Sequence, residues 1–298
     1  MDLHLVDGTY ELFRAHFAPR PPVIGRGGQV LSGVSGVAEQ LLFLLREEGA
    51  THVGVATDRV IRSFRNDLYP GYKTEAGMPP ELLAQFPIVE EAIEALGIVL
   101  WSMLEFEADD GIAAAVERFA ADPAVDRIFV CTPDKDMAQL VEDGRVVLLD
   151  RRRRIVYDAA GVREKWGVEP GSIPDWLALV GDSADGYPGL PGWGARSASA
   201  VLARYRRLED IPIRASTWDV PGLRGATGLA ASLGQHQDEV YLYRSLARLR
   251  TASDGVVIPQ STTEELRWRG APRDRWQAFC DHLGLDRLRD RPHRWRDG

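Results

Sequence analysis

Cysteine is scarce in this chain. Its 298 residues hold two, Cys131 and Cys280, which form neither a disulfide framework nor a metal-type spacing. No apolar run approaches the roughly 20 residues of a membrane span, and the start, Met1-Asp2-Leu3-His4, shows no charged-then-apolar leader. These absences predict a soluble protein of a reducing cytoplasm with no membrane partner. What is present is length enough for one large α/β domain, or for one with a small appended subdomain. The formal net charge of −8 argues at first against nucleic acid, but the total hides an asymmetry. Residues 1–195 hold 18 Lys+Arg against 31 Asp+Glu, a net of −13, and 196–298 hold 18 against 13, a net of +5. An acidic front and a basic back suit a metal site beside a phosphate-binding surface.

Along the chain, carboxylates follow apolar strands. Leu3–Val6 runs into Asp7, His52–Ala56 runs into Thr57-Asp58, and Arg127–Cys131 runs into Thr132-Pro133-Asp134-Lys135-Asp136. The strand Ile98–Trp101 leads to Glu105-Phe106-Glu107-Ala108-Asp109-Asp110, from which an Ala-rich helical stretch departs. Helical patterns separate these strands. The alternation predicts an α/β fold with a mostly parallel central sheet flanked by helices, whose ligands sit beyond the carboxyl ends of the strands. A further acid pair, Asp182 and Asp185, lies in Gly181-Asp182-Ser183-Ala184-Asp185-Gly186 at a helix end. Arg151 to Arg154 form a charged turn or edge that resists pairing, with phosphate binding as the alternative.

Nine carboxylates placed this way invite a cation. Two like charges 4 Å apart repel by about 4 kcal/mol at an effective dielectric of 20, so such a cluster needs cations or protons. An all-oxygen ligand set without His or Cys favours magnesium or manganese over zinc. In an ideal helix Glu107 and Asp109 would point about 200° apart. Only an irregular turn lets both serve one ion, and the competing role for acids at a first turn is to stabilise the helix dipole.

The strings LVDGTYELFRAHF (5–17), TDRVIRSFRNDLYPGYK (57–73), EADD (107–110), TPDKDMAQLV (132–141) and DWLALVGDSADGYPGLPGWGARSA (175–198) resemble the 5′-nuclease, or flap endonuclease, family. They are most similar to the bacterial 5′–3′ exonuclease domain that stands at the front of DNA polymerase I. The resemblance implies a PIN-like α/β fold with a helical arch at about 59–96 inside a catalytic domain of 1–180. A helix–three-turn–helix and a mainly helical subdomain would occupy 181–298. It implies a structure-specific 5′ nuclease with 5′–3′ exonuclease and 5′-flap endonuclease activity, hydrolysing DNA phosphodiesters by a two-metal mechanism and leaving 5′-phosphate ends, in replication and repair.

Carried over to this chain, Asp7, Asp58, Glu107, Asp109 and Asp110 match the first metal cluster, and Asp134, Asp136, Asp182 and Asp185 match the second, with Asp109 placed to serve both. Lys73 matches the lysine that polarises the attacked phosphate. Arg65 is a second phosphate-binding candidate, and Tyr72 a platform for an unpaired base. Gly189, Gly192, Gly194, Arg196 and Ser197 match a hairpin that meets duplex phosphates without reading sequence and that holds potassium in the family. Arg204, Arg206 and Arg207 extend its basic edge. The implied substrates are DNA with 5′ flaps, nicks or 5′ ends and RNA-containing 5′ strands. The implied partners are a polymerase or sliding clamp, for a monomer associated with the nucleoid.

The chain departs from the pattern at several points. Pro133 replaces a glycine, Gly186-Tyr187 replaces Asn-Ile, Ala76 stands where an arch arginine is usual, Ser35 where a tyrosine is common, and Arg196 where lysine is usual. None removes a metal ligand. Trp268, Trp276 and Trp295 read as packing surface. Two other classes compete with the nuclease. A haloacid-dehalogenase-type phosphatase shares an acid after the first strand, but its nucleophile should sit where this chain has Leu5. A non-catalytic structure-specific DNA-binding protein would keep the hairpin and lose ligands, whereas all nine acids are present.

Overall fold

The computed structural model describes residues 1–296. In chain order it contains β1 (Asp2–Asp7), α1 (Gly8–His16), α2 (Ser32–Arg46), β2 (His52–Asp58), α3 (Arg65–Leu68), α4 (Pro80–Leu83), α5 (Gln85–Ala95), β3 (Val99–Met103), α6 (Ala108–Phe119) and β4 (Arg127–Cys131). Then come β5 (Val146–Asp150), β6 (Ile155–Tyr157), α7 (Ala159–Trp166), α8 (Ile173–Val180), α9 (Ala195–Tyr205), α10 (Ala226–Gln235), α11 (Gln237–Ala247), β7 (Ala271–Pro272), α12 (Arg273–Leu283) and β8 (Trp295–Arg296). Among the described residues no helix is long and apolar enough to cross a membrane. The chain divides into two compact units, one of Met1–Ile61, Glu75–Thr132 and the residues from Arg250 onward, the other of Arg62–Thr74 and Pro133–Leu249.

The first unit is built on parallel strands in the order β3-β2-β1-β4. β2 is buried along its whole length, as a central strand covered on both faces should be, while β1 and β4 leave His4 and Phe129 partly exposed between buried neighbours. Leu3, Leu5, Val53, Val55, Ile128 and Val130 are fully buried. Pairing sets Leu5 opposite Gly54 and Val130, and Ala56 opposite Asp7 and Trp101. This register aligns the carboxyl ends of β1 and β2. Gly8 follows Asp7 directly because a Cβ there would collide with the Ala56 carbonyl oxygen and the Val55 and Thr57 side chains. The C-terminal residues join this unit through their tryptophans. The Trp268 indole donates to the Leu96 carbonyl at 2.8 Å, and Trp276, fully buried, donates to the Leu288 carbonyl at 3.0 Å. Both rings pack, as expected. Trp268 thereby bonds to a residue 172 positions earlier in the chain, a contact that local pattern does not reveal.

The stretch 59–96, where the resemblance places the arch, is helical only in part. Its helices are α3, a single turn, then α4 and α5, and 69–79 is irregular, with Pro70, Gly71, Gly77 and Pro79 interrupting any helix.

In the second unit, β5 and β6 pair antiparallel across the turn Arg151–Arg154. Asp150 fixes this turn by accepting the Arg153 N–H at 3.0 Å. Helix α8 packs on α9 and α11, and Arg244 of α11 bridges Asp175 at 3.3 Å and Glu209 at 2.6 Å. Burial raises the Asp175 carboxyl to about 6, with Arg244 only partly opposing it. The folded state therefore holds this proton more tightly than the unfolded chain. The resulting stability is complete below the ordinary value of 3.8 and is lost as pH rises through about 6. At about 1.4 kcal/mol per tenfold change in proton affinity, the loss is at most about 3 kcal/mol. Asp175→Asn is expected to flatten the fall in Tm between pH 5 and pH 7 in calorimetry; an unaltered profile would assign that fall to other groups.

Candidate active site

The first acidic group grows from the carboxyl ends of β1 and β2. Asp7 caps α1, its Oδ1 accepting the Tyr10 N–H at 2.8 Å while Oδ2 accepts the Thr132 hydroxyl at 3.2 Å. Asp58 accepts the Ala108 N–H at 2.7 Å, and its own N–H donates to the Thr9 hydroxyl at 2.8 Å. Asp58 thereby clamps the start of α6 and brings Glu107, Asp109 and Asp110 to the same sheet edge. Glu107 is the N-cap, with φ −97° and ψ 163°. It lies outside the helix, so the 200° separation from Asp109 does not apply. Asp109 is half-buried. Asp110 is completely buried, one oxygen accepting the Glu107 N–H at 3.0 Å and the other the Arg250 N–H at 2.8 Å. It holds the turn and the chain at Arg250 in place. Glu105 is exposed.

The second group is tighter. Asp136, Asp182 and Asp185, all buried, each offer a carboxylate oxygen within 4.8 Å of the others. Asp182 and Asp185 ride a loop pinned at both ends, with the Asp182 N–H donating to the Tyr187 carbonyl at 2.8 Å and the Tyr187 N–H returning to Asp182 at 3.0 Å. Gly186, at φ 88°, is required there because a Cβ would collide with the Gly71 carbonyl oxygen. Asp134 is exposed and stands outside the trio, its Oδ1 accepting the Asp136 N–H at 3.3 Å. Burial, then the fields of Asp134, Asp185 and Asp182, push the Asp136 carboxyl well above its ordinary range, against the pull of Lys135.

Two lysines offset this negative charge. Lys135 Nζ lies 2.5 Å from Asp182, and Lys73 Nζ lies 3.0 Å from Asp185. Burial draws the Lys135 ammonium down, but its hydrogen bond to Asp182 and the fields of Asp136, Asp182 and Asp134 prevail and raise it. The chain has only three lysines, and two of them meet this trio. Lys135 was missed in the sequence because it lies inside the acidic motif and reads as a spacer between its ligands. The residues fit a hard divalent cation on two counts. Their donors are all oxygen, and Asp136 Oδ1 is buried without a hydrogen-bond partner, a costly condition that a cation relieves.

The remaining expected residues are placed differently. Arg65 is 2 % exposed, and its guanidinium donates to the Leu246 carbonyl at 2.8 Å and the Arg248 carbonyl at 3.2 Å. Tyr72 is 3 % exposed. Neither presents itself to a phosphate or a base in this conformation, because the polar run around them folds into the core of the second unit instead of standing free. In the hairpin, Gly192 and Gly194 are open, and a Cβ at either would meet nothing. Gly189 differs, since its Cβ would strike the backbone of Val180 and Gly181; it closes the aspartate loop. Ser197 Oγ accepts the Gly194 N–H at 3.0 Å, fixing the turn into α9, and Arg196 is exposed beside it. Arg204 is engaged by Asp219 at 3.1 Å.

A parallel α/β unit with acids at its strand ends, and a helical unit bearing an aspartate trio and a glycine-rich hairpin, define a PIN-like 5′ nuclease. Residues 2–167 match the family model described as 5′-3′ exonuclease, N-terminal resolvase-like domain, and 168–273 match 5′-3′ exonuclease, C-terminal SAM fold. The chain belongs to the 5′–3′ exonuclease family. It is 33 % identical to the 5′-3′ exonuclease of Aquifex aeolicus (strain VF5) over 70 % of this chain and 71 % of that protein. It is 35 % identical to DNA polymerase I of Mycobacterium leprae (strain TN) over 97 % of this chain and 31 % of that protein, so it spans about a third of the polymerase's length. T5 5′-exonuclease with bound zinc shares the fold at a TM-score of 0.66 and 20 % identity, covering 83 % of this chain and 89 % of that one. The catalytic core of Rad2 in complex with DNA substrate does so at 0.61 and 17 %, covering 97 % and 90 %.

Proposed function

We propose that this chain is a structure-specific 5′ nuclease that cuts DNA at 5′ flaps and 5′ ends using magnesium or manganese. The observation that carries the reading is the buried trio Asp136, Asp182 and Asp185 with its unpartnered Asp136 oxygen. Asp182 and Asp185 would hold an ion together with Asp136, and Asp7, Asp58, Glu107 and Asp109 would hold another. Divalent ions bound there would supply a water activated near neutral pH and charge for the leaving oxygen. Asp110 and Arg65 act as positioning residues, the first on the α6 start and the second on the carbonyls that end α11. Lys73 is drawn toward the trio by Asp185 and by the bond from its own N–H to the Asp185 carbonyl, 2.9 Å. There its ammonium would neutralise a phosphate in the transition state.

The test is a labelled 5′-flap duplex incubated with magnesium or manganese. Wild-type protein is expected to release the flap with a 5′-phosphate, and binding without cutting would leave a non-catalytic DNA-binding protein. Lys73→Ala is expected to slow single-turnover cleavage by about 100-fold while changing the flap Kd by less than about threefold, since its task lies in the transition state. Equal losses in both would make Lys73 a simple binding residue.

A further inference from the structure

A second loop joins the hairpin. A cavity of about 800 Å³ in the second unit is lined on one side by Gly192, Arg196 and Ser197 and on the other by Gly222, Leu223 and Arg224. The two sides are tied together. The Ser232 hydroxyl donates to the Pro191 carbonyl at 2.7 Å, the Trp193 indole donates to the Leu229 carbonyl at 3.2 Å, and Trp193 and Trp218 pack at 6.2 Å between ring centres. The loop of residues 221–225 is therefore held against the hairpin by its neighbours on both flanks.

The charges in this cavity are unspent. Arg196 and Arg224 make no hydrogen bond or ion pair among the described residues, and both are exposed. Gly192, Gly194 and Gly222 of the cavity lining leave the space before them open, since a Cβ at any of the three would meet nothing. Two unpaired guanidiniums facing one open, side-chain-poor cavity match an anion carried on a bulky backbone. Guanidinium contacts to phosphate oxygens position a duplex without carrying sequence information.

We propose that Arg224 and the 221–225 loop form the second jaw of a duplex-phosphate clamp whose first jaw is the hairpin with Arg196. The inference rests on the nuclease reading and extends its duplex-side footprint. One strand's phosphodiester backbone enters between the loops, and each arginine neutralises a phosphate.

The experiment measures the anisotropy of a labelled nicked duplex, in EDTA so that nothing is cut, over a range of salt, with free inorganic phosphate as competitor at constant ionic strength. Arg224→Ala is expected to raise the duplex Kd about fivefold and to lower the salt slope by about 0.9, the value of one phosphate contact. Arg224→Lys should retain the slope, Tm should not move, and single-stranded oligonucleotide should bind as before. Inorganic phosphate should compete weakly and only with wild-type jaws. An unchanged slope for Arg224→Ala beside a lowered slope for Arg196→Ala would overturn the second jaw and leave the hairpin intact. Unchanged slopes for both would remove the hairpin as well, while cleavage of the flap substrate would still stand or fall separately. Equal loss on single-stranded and duplex DNA would overturn the duplex assignment.

Discussion

Asp136→Asn is expected to reduce single-turnover flap cleavage by at least about 100-fold, a loss of about 2.7 kcal/mol of transition-state stabilisation, and at the same time to raise Tm in EDTA by a few degrees. The two effects have one cause. Burial and three neighbouring carboxylates make the ionised Asp136 unfavourable in the folded protein, so a neutral amide of the same shape relieves repulsion at pH 7. The same substitution removes an anionic donor from the trio that would hold the cation. Sites shaped for function commonly carry such a stability cost. Differential scanning calorimetry in EDTA and quench-flow on the flap substrate measure the two arms. A fall in both would indicate that the carboxylate supports the fold, and unaltered cleavage would move the metal site away from Asp136.

Arg65→Ala is expected to lower stability by about 2–4 kcal/mol, because it leaves the Leu246 and Arg248 carbonyls without their charged donor inside the protein. The planar fork reaches both carbonyls at once, which a lysine ammonium cannot imitate, so Arg65→Lys should recover only part of the loss. Urea denaturation reads the effect. Flap affinity measured well below Tm should stay within about twofold of wild type, since the guanidinium faces the protein interior. Loss of affinity with unaltered stability would return Arg65 to the phosphate-binding role that its sequence neighbourhood suggests.

Arg65 shows where sequence reasoning stops. Its run, Arg62-Ser63-Phe64-Arg65-Asn66-Asp67, is polar enough to suggest an exposed arch, and nothing local indicates that Leu246 and Arg248, nearly two hundred positions later, would take its hydrogen bonds. Tyr72 and Gly189 follow the same logic. Their residue types suit DNA contact, but a buried ring and a close approach to the Gly181 backbone are properties of packing. Lys135 and Arg224 went unnoticed for the converse reason, since a lone cation gains meaning only from the carboxylates or the cavity beside it.

By itself the sequence determined the alternation of strands and helices, the placement of acids after β1, β2 and β4 and at the start of α6, and the family. Each of these depends on period, spacing and residue type, which are local properties. The tertiary structure decided which acids meet. Asp136, Asp182 and Asp185 form one buried trio with Asp134 outside it, and Asp110 is occupied by backbone N–H groups. It also decided where the C-terminal residues pack, that two lysines stand beside the trio, and that Arg196 and Arg224 line one cavity. Distances of a few ångströms govern hydrogen bonds and charge–charge energies, and long-range folding alone sets those distances.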